Sequence, residues 1–125
     1  MNGYEKSSQY LKFRRYCKVL KLNEDSKLIE KYKELHRPGA VWPEITKGIR
    51  KVGILDMEIY LYGNTAIMIM DTVPEFDHDK AMRQLAGLPR QKEWEQYVSV
   101  FQKAGDKSDT PEKWVMIDRI FELDK

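Results

Sequence analysis

The hydrophobic positions along this chain change period in a regular order. From about Arg15 to Leu22 they alternate, which predicts a strand. From Leu28 the spacing becomes helical. Leu28, Ile29, Tyr32 and Leu35 recur at i, i+1, i+4 and i+7, and His36 takes the i+8 place on the same face. Lys27, Glu30, Lys31, Lys33, Glu34 and Arg37 occupy the outside. Asn23, Asp25 and Ser26 suit the start of this helix, and Arg37-Pro38-Gly39-Ala40 breaks it. Pro43 fits the first position of a second short helix with Ile45 and Ile49 inward, ended by Gly53. Alternation then returns from Ile54 to Tyr62, with Leu55, Met57, Ile59 and Leu61 on one face and Asp56, Glu58, Tyr60 and Tyr62 on the other. Gly63-Asn64 signals a hairpin, and Thr65 to Val73 come back as a third strand.

The second half repeats the scheme. Pro74 stops the strand, and Asp77 can cap a helix with Ala81, Met82, Leu85 and Ala86 on one face. Pro89 opens another helix, with Trp94, Tyr97, Val98 and Phe101 at i, i+3, i+4 and i+7. A polar linker follows from Gly105 to Pro111, then a last strand from Lys113 to Phe121. The predicted order β-α-α-β-β-α-α-β is an α+β, ferredoxin-like split βαβ plan, with an antiparallel sheet and the helices on one side. Both faces of the third strand are apolar, so the bare side of the sheet needs a cover. The simplest cover is a second copy of the chain, giving a homodimer with two sheets face to face, a dimeric α/β barrel.

Composition narrows this further. The 125 residues make one domain with one modest core, residues 11–125, behind a polar stretch over residues 1–10 that reads as a frayed tail. The balance of 22 basic against 20 acidic residues argues for neither nucleic acid nor an anionic membrane as a partner. Arg14, Arg15, Lys18 and Lys21 read as the solvated face of a strand. The lone Cys17 cannot form an internal disulfide and reads as a small buried hydrophobe. No stretch has the length of a transmembrane helix or the form of a signal peptide, so a reducing cytoplasm is the expected compartment.

Candidate chemistry centres on Tyr32 and His36. Four residues apart on one helix, they lie a turn from each other and point inward together. Nearby stands Val41-Trp42-Pro43-Glu44-Ile45. An imidazole with an ordinary pKa of about 6.5 exchanges protons near neutrality. Each residue also has a plainer reading. A lone histidine on an apolar stripe is more often a satisfied core residue. Tyr32 and Trp94 fit core packing, and Trp42 before Pro43 fits a hydrophobic staple. His78, between Asp77 and Asp79, reads as a solvated surface residue. Two histidines without a carboxylate or cysteine cluster at ligand spacing make a zinc site unfavoured.

Several stretches carry a family resemblance. Tyr32 to Glu44, the strand Gly53 to Leu61, and the segment Gln91-Lys92-Glu93-Trp94 resemble the L-rhamnose mutarotase family, over about Val19 to Phe121. Gly53 to Leu61, Gly63-Asn64 and Leu88-Pro89-Arg90-Gln91 look closer to its L-fucose mutarotase-like branch. The resemblance implies a dimeric ferredoxin-like barrel that interconverts the α and β anomers of a 6-deoxy sugar, with no cofactor. It implies His36 as the proton-transfer residue and Tyr32 as its sugar-binding neighbour. A tandem tryptophan pair of the family falls on Glu93 and Trp94, and a sugar-contacting tyrosine on Met57. These departures point away from L-rhamnose and toward L-fucose as the preferred sugar.

The chemistry agrees with the residue types. Mutarotation takes a proton from the anomeric hydroxyl and delivers one to the ring oxygen, and Tyr32 is expected to assist His36 either by orienting the sugar or by relaying a proton. Trp94 and Trp42 offer flat apolar faces to a pyranose, and Met57 could receive the methyl group of a 6-deoxy sugar. The same barrel also suits a cofactor-free oxygenase or a non-catalytic small-molecule binding module, since fold does not fix function.

Overall fold

The computed structural model describes residues 1–7, 12–103 and 113–123. Eight elements follow one another as β1 (Arg14–Lys21), α1 (Ser26–Leu35), α2 (Pro43–Lys51), β2 (Ile54–Tyr62), β3 (Thr65–Thr72), α3 (His78–Ala86), α4 (Gln91–Ser99) and β4 (Val115–Ile117). The strands form a four-stranded sheet in the order β2-β3-β1-β4, antiparallel throughout. This is the predicted mixed α+β plan.

Local chemistry sets the element ends. The Asp25 carboxylate accepts from the backbone N–H of Lys27 at 2.8 Å and of Leu28 at 3.4 Å, which satisfies two donors that the first turn of α1 leaves open. Pro43 starts α2 directly after Trp42, and Asp77 accepts from the N–H of Lys80 at 3.3 Å to start α3. The Gly63-Asn64 hairpin has φ 59° at its glycine, the glycine-first pattern of a type II′ turn. Asn64 also latches the turn to the end of β1, donating from Nδ2 to the Leu22 carbonyl at 3.0 Å and accepting the Leu22 N–H at 2.7 Å.

Burial divides the interior into two clusters on the helix-facing side of the sheet. Leu20, Leu22 and Ala66 meet Tyr32, Ile45, Trp94, Val98 and Phe101 under α1, α2 and α4. Ile54, Met68 and Met70 meet Phe76 and Ala81 near α3. Ile49, Ile59 and Trp114 touch both and join them.

Four expectations need correction. First, β2 carries a bulge. Ile54 pairs with Thr72 but Asp56 pairs with Asp71, so Leu55 is the extra residue and Ile54 joins Met57, Ile59 and Leu61 on the helix-facing side. Second, Lys18 is not solvated. It pairs across the sheet with Met68 on the helix-facing side, is 1% exposed, and has its Nζ 3.9 Å from the Met82 sulfur. Third, His78 is only 17% exposed. Its Nδ1 lies 2.9 Å from Asp79 Oδ1, and its ring stands 5.4 Å from that of Tyr16. Fourth, the last strand is three residues long, because only Val115 to Ile117 find partners on β1. The expected linker from Gly105 to Pro111 lies outside the described residues. The first seven residues have no regular secondary structure, yet Lys6 forms ion pairs with Asp56 and, at 3.5 Å, with Glu58.

Among the described residues no helix packs on the other side of the sheet. Cys17, Val19, Ile67, Ile69, Val115 and Ile117 share it, as the pairing register requires. A charged patch borders them. Arg15 holds Asp71 with two parallel hydrogen bonds of 2.8 and 3.0 Å, and Asp56 and Glu58 follow on β2.

Candidate active site

The end of α1 builds the centre of the site. The last carbonyls of a helix lack intrahelical donors. Here the chain tightens, and the N–H of His36 bonds to Lys33 O at 3.2 Å rather than to Tyr32 O. The Tyr32 carbonyl turns to the His36 side chain instead, with Nδ1 at 2.8 Å. A carbonyl can only accept, so Nδ1 carries the hydrogen and donates. In the neutral ring Nε2 then holds the lone pair. One backbone bond thus fixes both the ring's orientation and its tautomer.

Surroundings tune the protons. Burial pushes the His36 pKa below its ordinary 6.5, and the bond to the Tyr32 carbonyl opposes this only in part. Burial pushes the Tyr32 phenol up to about 12. At neutral pH His36 is therefore an uncharged base and Tyr32 a proton-bearing phenol. Their rings pack with centroids 4.3 Å apart, and Phe101 meets Tyr32 at 6.0 Å.

An aromatic wall stands beside the imidazole. Trp94 presents itself edge-on to His36 at 5.9 Å and to Trp42 at 5.1 Å. Tyr97 stacks on Trp42 at 5.6 Å, with the planes 10° apart. The Arg90 guanidinium lies 4.2 Å from the centre of the same indole. Tyr97 and Arg90 both engage the Trp42 ring, so Trp94 is the tryptophan that stands next to His36. Arg90 also reaches Glu44 at 3.6 Å and Glu93 at 3.4 Å.

The structure thus brings His36, Tyr32, Trp94 and Trp42 into one cluster. Glu93 lies on its rim, its side chain 63% exposed and held by Arg90. Met57 faces the helices but packs with the cluster around Met70 and Phe76. Three neighbours escaped the sequence reading. Tyr97 was visible only as part of the α4 stripe. Glu44 lies in the Trp-Pro-Glu run without its role being legible. Arg90 was visible only within the Leu88-Pro89-Arg90-Gln91 stretch and not as a site residue, because its place depends on a left-handed backbone with φ 62°. Among the described residues no three His, Cys, Asp or Glu side chains converge as metal ligands would.

Known proteins share this fold and pattern. The L-rhamnose mutarotase family model matches residues 15–123. An L-fucose mutarotase of Xanthomonas campestris pv. campestris is 37% identical over 113 residues, 90% of each chain. A UPF0734 protein of Dictyostelium discoideum is 30% identical over 118 residues, covering 90% of this chain and 91% of its own. The crystal structure of an L-rhamnose mutarotase from Formosa agariphila superposes with a TM-score of 0.65 at 19% identity, covering 89% of this chain and 99% of that one.

Proposed function

The chain belongs to the L-rhamnose mutarotase family, isomerases that act on sugars, and we propose that it interconverts the anomers of a 6-deoxy hexose with His36 as the proton-transfer group. The observation that carries this reading is the Nδ1–H bond of His36 to the Tyr32 carbonyl. It leaves Nε2 free to take the proton of the anomeric O1–H. As the O1–H bond electrons form the C1=O1 double bond, the C1–O5 bond breaks and O5 receives a proton from the imidazolium. The aldehyde then turns about C1–C2. O5–H adds to its other face, O1 regains a proton, and the ring closes as the opposite anomer. Nothing is consumed, and the imidazole ends as it began. The lowered pKa of His36 keeps the ring uncharged and available as a base at neutral pH, and the proton it takes up is weakly held and readily passed to O5. Tyr32 keeps its proton, so its part is to orient the imidazole and the sugar rather than to act as a base.

L-fucose is the sugar we propose. The name of the Xanthomonas relative supports it, and so does Glu93 at the rim, where the family resemblance places an aromatic of the rhamnose enzymes. The two sugars differ in ring hydroxyl orientation, so hydrogen-bonding groups decide between them. One lost partner costs about 1–3 kcal/mol, roughly tenfold to a hundredfold in selectivity. The apolar strip of the open sheet face supports a homodimer formed through that face, and the lone cysteine suits a reducing cytoplasm. Among the described residues no helix is long and apolar enough to cross a membrane. The test is saturation-exchange NMR with L-fucose, L-rhamnose and other aldoses. Faster anomer exchange, greatest for L-fucose, is expected. Sugar binding without faster exchange, or oxygen uptake with a phenolic substrate, would replace this reading.

A further inference from the structure

We propose that Arg90 is a positioning residue of the sugar site, whose stacked guanidinium holds Trp42 and, through Trp42, sets the Trp94 wall beside His36. The inference rests on the mutarotase reading for the substrate it names. Its first support is backbone geometry. Arg90 is the only non-glycine residue with positive φ among the described residues, at φ 62° and ψ 3°. A β-carbon is strained there and glycine is not. The position immediately precedes α4, where a glycine would serve the turn equally well.

The side chain explains the strain. It lies 4.2 Å from the centre of the Trp42 ring, with Glu44 at 3.6 Å and Glu93 at 3.4 Å around its nitrogens. Glu44 belongs to α2 and Glu93 to α4, so the guanidinium ties the starts of the two helices together. One oxygen of Glu44, Oε2, is shut off from solvent and receives no hydrogen bond among the described residues. The Glu44 side chain as a whole is 40% exposed, and Arg90 meets its other oxygen, Oε1, so the pair fixes geometry more than it compensates a buried charge. Trp42 is partly buried against the core, and its indole meets Arg90, Tyr97 and Trp94. A planar cation that both stacks and pairs is a role lysine fills poorly.

The experiment uses Arg90→Gly and Arg90→Asn, both suited to the left-handed backbone, and Arg90→Lys, which keeps the charge but not the plane. Anomer exchange is measured against L-fucose concentration, and melting is followed in parallel. The expected result is a rise in KM of roughly three- to thirtyfold in all three variants, the range that one stacked cation covers, with kcat within about twofold. In a Trp42→Leu background the Arg90→Gly change should add less than about twofold, because the ring it holds is gone. An unchanged KM, a fall in kcat alone, effects of Arg90 and Trp42 that simply multiply, or full rescue by lysine would each overturn the proposal. If the parent leaves anomer exchange at the rate in water, the mutarotase reading fails. Tryptophan-fluorescence titration with L-fucose then decides on Arg90 alone. Weaker binding by Arg90→Gly sustains the proposal, while equal binding, or no binding by the parent, overturns it.

Discussion

A single carbonyl oxygen decides what His36 can do. Because Tyr32 O accepts from Nδ1, the ring meets the site with a basic Nε2, and burial keeps it uncharged. The sign of the pH effect follows. Protonation is disfavoured in the folded protein, so the base form survives below the ordinary histidine pKa of 6.5. The acidic limb of kcat/KM should therefore fall at a pH lower than 6.5, read from exchange rates across a pH series. A limb above 6.5 would mean that an anion faces the ring. Stability moves the same way: the unfolded chain takes up the proton first, so His36 contributes full stability above 6.5 and loses it as pH falls toward its lowered folded value. Tyr32→Phe leaves both the ring and the carbonyl in place. It should lower the exchange rate by about two- to tenfold, the worth of one hydrogen bond, and a loss as large as that of His36→Gln would give the phenol a proton-transfer role.

At the scale of elements, the site depends on where helices stop and strands turn. Gly53 links α2 to β2 at φ 102°, and an added Cβ would meet Val73 Cγ2 at 3.2 Å and Phe76 at 3.4 Å. Gly53→Ala should destabilise the protein by about 1–3 kcal/mol through backbone strain alone, measured by urea unfolding. Asp25→Ala removes the acceptor at the start of α1 and should cost about 1 kcal/mol. Such boundaries were legible, since Asp25, Pro43, Gly53, Gly63 and Asp77 each act through local chemistry. So was the inward face of α1 that carries Tyr32 and His36. The bulge at Leu55 was not, because Leu55 to Leu61 alternate without a break and only pairing with β3 puts Ile54 inside. Lys18 broke the binary pattern outright: a charged residue on a core-facing strand position reads as solvated until the helix above it is known. The contacts of Trp42 with Arg90 and Tyr97 join α2 to α4 across 48 and 55 residues, a distance that no short-range pattern spans.

At the level of the whole molecule, the helices among the described residues pack on one face of the sheet, and the proposed homodimer would cover the other. Val19, Ile67 and Ile69 lie on the side that no helix covers among the described residues, beside the Arg15–Asp71 pair. Light scattering should give about twice the mass of the chain at micromolar concentration, and Ile69→Asp should return it to a monomer, since a charge buried between two sheets lacks a partner. A monomeric parent would remove the barrel from the account. The proposed chemistry is the sharpest point to test: that this chain speeds anomer exchange and that His36 carries the proton. The most direct measurement saturates the H1 resonance of one L-fucose anomer and follows the loss at the other, for the parent and for His36→Gln. Glutamine can still donate to the Tyr32 carbonyl, so the helix end and the melting behaviour should be kept. The parent should exchange anomers well above the rate in water, and His36→Gln should lose about 10²–10⁴-fold of that enzyme-dependent rate. A His36→Gln protein that exchanges L-fucose as fast as the parent would make His36 a core histidine and contradict the mechanism.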